Sequence, residues 1–209
     1  MFFSRMLLIA FTSWLSYPAT QSRVVADCTI AYAIQGDAGT GESAETLKSS
    51  TKTIYIRGND SRVDLVSPSF TQSLIYNKSK GVAVILRDFG NNHFMTKMTP
   101  EKWQEENKKY EGMIVNFGED TRRILGYDCK KATIKLKDGS VYVLYYTTAI
   151  SPSVRDFEYQ FKDIPGFVLQ YELQDAKGQK ITYLATKVDL NPVPTSRFDI
   201  PTKDYRILN

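Results

Sequence analysis

Apolar and polar positions alternate with a period of two along most of this chain. "CTIAYAIQ" (28–35), "TKTIYIRG" (51–58), "SRVDLVS" (61–67), "TQSLIYN" (71–77) and "HFMTKM" (93–98) each put one set of side chains on an apolar face and the next on a polar one. That is the pattern of strands with one buried and one wet face. "GVAVILRD" (81–88) is apolar throughout its centre, which predicts a strand covered on both faces. Gly-Asn-Asp, Ser-Pro-Ser, Asn-Lys-Ser and Gly-Asn-Asn punctuate these runs, so they read as a meander of antiparallel hairpins. A Gly-, Ala-, Thr- and Ser-containing loop is expected over 36–46.

One stretch changes period. "TPEKWQEENKKYEG" starts with Thr99 as N-cap and Pro100 at the first helical position, and stops at Gly112, predicting a helix over 99–111. Trp103 and Tyr110 are seven apart, on one face, and the rest is charged. The helix is expected to lie across the sheet through these two aromatics, either as packing or as a lid. Strands resume at "MIVNFGE" (113–119), "YDCKKATIKL" (127–136) and "SVYVLYYTT" (140–148), the last two joined by Lys137-Asp138-Gly139. Within the irregular 149–163, Val154, Phe157 and Phe161 are spaced for a short helical segment. "IPGF" reads as a type II turn with Pro165 and Gly166 at its centre, which requires Gly166 at positive φ. "FVLQYELQD" and "KITYLATKVDL" form a further pair, and the Pro-broken tail "NPVPTSRFDIPTKDYRI" is expected along an edge. The fold class predicted is mainly β (α+β): a strongly curved antiparallel sheet or half-barrel of about ten strands with one main helix, since sheets that large curl.

The first residues alter the picture of compartment. "MFFSRMLLIAFTSWLSYPATQS" has one cation, Arg5, then an apolar run too short for a bilayer that needs ~20 residues, then small and turn-forming residues. This is a signal-peptide pattern over residues 1–26, with cleavage after Ser22 or Ala26, leaving one domain over 27–209 with no transmembrane segment and a periplasmic or secreted location. Removing residues 1–26 takes Arg5 and Arg23 and no acidic residue, so the net charge falls from +4 to +2. With no basic block, nucleic acid is excluded as a partner.

Two cysteines, Cys28 and Cys129, remain in that compartment; an even pair there points to a disulfide, with free buried thiols as the alternative. Strict alternation puts Cys129 with Lys131, Thr133 and Lys135, opposite Ala132, Ile134 and Leu136, a tension that a bulge near Gly126–Tyr127 or a bridge at the sheet end would resolve. The single histidine, His93, leaves no metal set, and as the one candidate base for a thiol nucleophile it stands in no recognisable motif. Carboxylate pairs such as Glu105–Glu106 and Glu119–Asp120 are sequence neighbours and do not face each other. Neither a catalytic constellation nor a cofactor motif is seen. Asn59-Asp60-Ser61 and Asn77-Lys78-Ser79 match the N-glycosylation pattern and also read as turn residues.

"ILGYDCKKATIKLKDGSVYVLYYTTAISPSVRDFEYQFKDIPGFVLQYELQDAKG" (124–178) resembles the central stretch of the GLPGLI family of exported Bacteroidetes-type proteins. Gly126, Tyr127, Cys129, Lys131 and Ala132 match its G-Y-x-C-x-K-A strand, and Asp163-Ile164-Pro165-Gly166-Phe167-Val168 stands at the hexapeptide, with Pro165 and Gly166 identical. The wider layout is similar to the LolA-like half-barrel of envelope lipoprotein carriers. The resemblances imply an exported protein with no defined activity. The reading is a non-catalytic cell-envelope binding protein, holding a lipid or other hydrophobic ligand on the concave face beneath Trp103 and Tyr110. Its alternatives are an assembly partner of an envelope protein and, last, a secreted hydrolase.

Overall fold

The computed structural model describes residues 22–36, 42–174 and 180–208; the greater part of the expected signal peptide lies outside them. The alternating runs form strands β1 (Arg23–Val25), β2 (Asp27–Gly36), β3 (Thr51–Arg57), β4 (Asp60–Val66), β5 (Thr71–Asn77), β6 (Val82–Phe89), β7 (Asn92–Met98), β8 (Ile114–Ile124), β9 (Tyr127–Lys135), β10 (Val141–Thr147), β11 (Ile150–Pro152), β12 (Phe167–Gln174), β13 (Lys180–Asp189) and β14 (Arg206–Leu208). Twelve of them make one large curved sheet in the order β14-β7-β6-β5-β4-β3-β2-β13-β12-β10-β9-β8. β1 and β11 pair separately, in parallel.

Two meanders are thus joined at β2·β13. Tight turns set their registers. Gly58 (φ 58°) and Gly90 (φ 58°) each open a two-residue loop, between the pairs Arg57↔Asp60 and Phe89↔Asn92, the place where a type II′ hairpin needs glycine. Leu125 (φ 49°) and Gly126 (φ 85°) close β8 onto β9 with both central residues at positive φ, as in a type I′ turn.

The helix behaves as its caps require. α2 (Pro100–Asn107) has Thr99 as N-cap, its hydroxyl accepting from the Lys102 N–H at 3.3 Å. It ends sooner than the predicted 111, giving way to a 3₁₀ turn, Lys108–Tyr110, before Gly112 at φ 70°. Within the predicted loop 36–46 a short helix, α1 (Glu42–Lys48), starts, with Glu45, Leu47 and Lys48 good helix formers. β7 and β8 lie near opposite edges of the sheet, so the chain between them must cross it. α2 is that crossing.

The face that α2 covers is here called inner. Cys28, Ile30, Tyr32, Ile54 and Ile56 project from it, with Trp103 packed on Tyr76 at 5.4 Å between ring centroids. The segment 148–166 also covers this face; Val154, Phe157 and Phe161 are all buried, and a 3₁₀ turn forms at Tyr159–Phe161. The outer face is covered in part by the tail, which lies over β2 to β4 near Val193 and Arg197 and reaches a second apolar patch on β5 to β7. There Ile75, Val84, Leu86 and Met95 form a satellite cluster under Tyr205 of the tail. β6 is therefore covered on both sides, as its unbroken apolar run predicts: Ala83 and Ile85 pack inward, Val84 and Leu86 outward.

Two expectations are corrected. Cys28 and Cys129 are free, buried thiols and form no bridge. β13, β12 and β10 stand between their strands, so they are four strand spacings of ~4.8 Å apart along the sheet. Alternation along β9 also turns Cys129 away from the face of Ala132 and Ile134. Nor is Pro165-Gly166 a type II turn, because Gly166 is not at positive φ. Its N–H bonds to the Ile164 carbonyl at 2.8 Å, an inverse γ-turn around Pro165. Glycine is required there by close approach, since a Cβ would stand 1.9 Å from the Thr147 carbonyl oxygen.

Candidate functional site

Between α2, the 148–166 segment and the inner face lies a cavity of about 360 Å³. The helix contributes Trp103, and the 3₁₀ turn that follows contributes Tyr110. The crossing segment adds Phe157 and Tyr159, and the sheet Tyr171 and Tyr183. The two aromatics singled out in the sequence are thus brought to one cavity with different roles. Trp103 is 7% exposed and belongs to the core. Among the described residues its buried Nε1 has no hydrogen-bond partner, a cost of ~1–3 kcal/mol. Tyr110 is half-buried at the rim, with the Lys109 ammonium 5.1 Å from its ring.

The cavity floor holds a group that the sequence reading missed. Lys52 is 4% exposed. Its ammonium donates to the Tyr171 hydroxyl at 3.0 Å and to the Glu158 carboxylate. It lies 5.1 Å from the Tyr32 ring, 4.9 Å from Tyr171 and 5.6 Å from Tyr183. Tyr171 and Tyr183 stack at 4.4 Å, and the Tyr32 hydroxyl donates to the Val168 carbonyl at 2.7 Å. A buried ammonium survives only with a counter-ion, hydrogen-bond acceptors and π faces around it, and this one has all three. Alternation carried the signal: Lys52 is in phase with Ile54 and Ile56, at an apolar position. Glu158, in an irregular segment, left none.

The electrostatics favour holding over reacting. Burial first, and the nearby Glu158 carboxylate second, push the phenols of Tyr32, Tyr171 and Tyr183 upward. They stay neutral donors at any physiological pH. Burial pushes the Cys28 thiol up to about 12, with Asp27 adding to it, and the Cys129 thiol up to about 11. Neither offers a thiolate nucleophile. His93 is remote, on the outer face, 2.7 Å from Asp88 through Nδ1. Among the described residues no three His, Cys, Asp or Glu side chains could hold a metal ion, and no helix is long and apolar enough to cross a membrane.

A larger cavity, about 610 Å³, opens on the outer face beneath the C-terminal tail. Pro165 and Gly166 line up with neither cavity floor; they fix where the 148–166 segment rejoins the sheet.

No family model and no curated protein matches the chain, so the GLPGLI resemblance rests on residues 124–178 alone. Solved structures do match. An uncharacterized conserved protein from Thermus thermophilus is 11% identical over 90% of this chain and 91% of its own, with a TM-score of 0.52. PNGF-II is 13% identical over 88% of this chain, with a TM-score of 0.52, and this chain spans about a third of its length. A LolA superfamily protein from Nitrosomonas europaea covers 87% of this chain and 94% of its own at 10% identity, with a TM-score of 0.37. At these identities the likeness is one of fold alone.

Proposed function

We propose that this is an exported cell-envelope binding protein without catalysis of its own, and that the inner cavity under α2 holds its ligand. The observation that carries the reading is the crossing from β7 to β8. It lays α2 over the inner face and still leaves about 360 Å³ open beneath it, a volume within the ~300–1,000 Å³ of ligand pockets. The walls are aromatic, but Lys52, Glu106, Lys109 and Glu158 border them. That lining suits an amphipathic ligand, with an apolar part against Trp103 and Phe157, better than a bare hydrocarbon chain.

The test is organic extraction of natively purified protein followed by mass spectrometry, with Tyr110→Ser alongside. Near-stoichiometric ligand in the wild type, and less in the variant, supports the reading. A clean extract, with Trp103 fluorescence unmoved by added lipid, leaves the assembly-partner reading ahead. One observation favours that second reading. β8 is an eleven-residue edge strand with Ile114 59% and Phe117 55% exposed, open to pairing with a partner's strand.

Export places a demand on the N-terminus. Val25 is 3% exposed in the core, and β1 pairs with β11. Cleavage after Ser22 keeps this strand, whereas cleavage after Ala26 discards it. We therefore favour Ser22, and the intact mass of the mature protein decides.

A further inference from the structure

We propose a second ligand site on the outer face, built for a single-chain amphiphile with an anionic head of the long-chain carboxylate class. It lies on the opposite face of the sheet from the inner cavity, the two meeting only at Met98.

The floor is apolar: Val84 of β6, Met95 of β7 and Ile207 of β14, with Ile207 beside Met95 in parallel register. Ile200, Pro201 and Tyr205 of the tail make the wall. The tail is held at several points, so it arches over the sheet instead of collapsing onto it. Asp27 accepts from the Val193 N–H at 3.2 Å, Arg62 donates to the Arg197 carbonyl at 2.9 Å, and β14 pairs with β7. Apolar residues remain wet along the wall, Ile207 at 58% and Ile200 at 41% exposure. An occupant that covers them removes that surface from water.

Charge gives the occupant a direction. Lys97 is the one charged residue lining the cavity. It stands two residues from Met95 on β7, beside Val84 in register, and among the described residues its ammonium has neither an ion pair nor a hydrogen bond. The other end is closed by Tyr205, whose hydroxyl donates to Asp88 Oδ2 at 3.2 Å and whose ring lies 5.5 Å from that of His93. Asp88 repels an anion at that end. A carboxylate is drawn to Lys97, and its chain runs toward Tyr205 along the apolar floor.

The experiment titrates the delipidated full chain with palmitate and with hexadecanol. Lys97→Met should weaken palmitate ~3–5-fold, as the loss of one exposed ion pair does, and leave hexadecanol unchanged. Ile207→Trp, which fills the mouth, should weaken both more than ~10-fold with the same thermal midpoint; Ile200→Trp serves if that variant misfolds. Tyr110→Ser, in the inner cavity, should change neither. Absence of palmitate binding, wild-type affinity in Lys97→Met and the Trp variant, or loss of binding in Tyr110→Ser would each overturn the site. Loss in Tyr110→Ser would place palmitate in the inner cavity instead; the other outcomes leave open whether that cavity retains a ligand.

Discussion

The two faces of the sheet are covered in opposite ways. The inner cover is made of two internal segments, α2 and residues 148–166, each tied to strands at both ends. It carries large buried side chains, Trp103, Phe157 and Phe161, and a buried ion pair, Lys52–Glu158. The outer cover is a terminal tail held by side chains of the sheet bonded to its backbone, a short parallel strand and Tyr205. The inner cover is therefore part of the cooperative core, while the outer cover belongs to the low-stability end from which local opening is drawn. A ligand of the proposed inner cavity would be trapped beneath the first, and one of the proposed outer site would exchange beneath the second.

The sharpest break of this contrast is expected where the inner cover rejoins the sheet. Gly166→Ala puts a Cβ 1.9 Å from a backbone oxygen that cannot yield, and should cost ~3 kcal/mol or more. An unchanged denaturation midpoint would refute the close approach. Next comes a matched pair. Trp103→Ser should cost ~3–5 kcal/mol, as large core truncations do, and Ile207→Ser in the tail only ~0.5 kcal/mol. Equal losses in urea unfolding would mean that the covers do not differ.

The ion pair gives a third test. Glu158→Gln leaves the Lys52 ammonium buried without its counter-ion and should cost ~3 kcal/mol, whereas Lys52→Met with Glu158→Leu should cost less than either single change. A double-mutant cycle with no coupling would deny the pair its part in holding the cover. The last test is alkaline. In the unfolded chain the thiols ionise from their ordinary 9.0, but in the folded protein they hold their protons to about 11 and 12. Their contribution is fully present below pH 9 and is lost as pH rises through those values, with the phenols of Tyr32 and Tyr171 acting in the same direction. Thiol labelling of denatured, non-reduced protein should count two free thiols. A count of zero would restore the bridge.

Local patterning was legible in the sequence. The glycine-opened hairpins, the Thr99 cap and the two-sided burial of β6 follow from period and turn chemistry. Alternation even signalled that Cys129 faces away from Ala132 and Ile134. The disulfide expectation followed cysteine count and compartment instead, and the observed register sides with alternation. What could not be read was long-range. The β14·β7 pairing that roofs the outer cavity, and the approach of Glu158 to Lys52, depend on segments meeting across the fold. Lys52 itself was readable, as a lysine in phase with isoleucines.

The junction of the two meanders has a consequence for how the chain acquires this structure. Tyr32 of β2 pairs with Ala185 of β13, so one of the earliest strands waits for nearly the last. The meander from β2 to β7 rests on neighbour-to-neighbour contacts and can form first. Until β13 arrives, one side of β2 presents unsatisfied N–H and C=O groups to any other chain. High contact order makes that closing step slow. A chain made from its N-terminus onward therefore passes through a window in which its own edge invites aggregation, and that window closes only when the second meander docks.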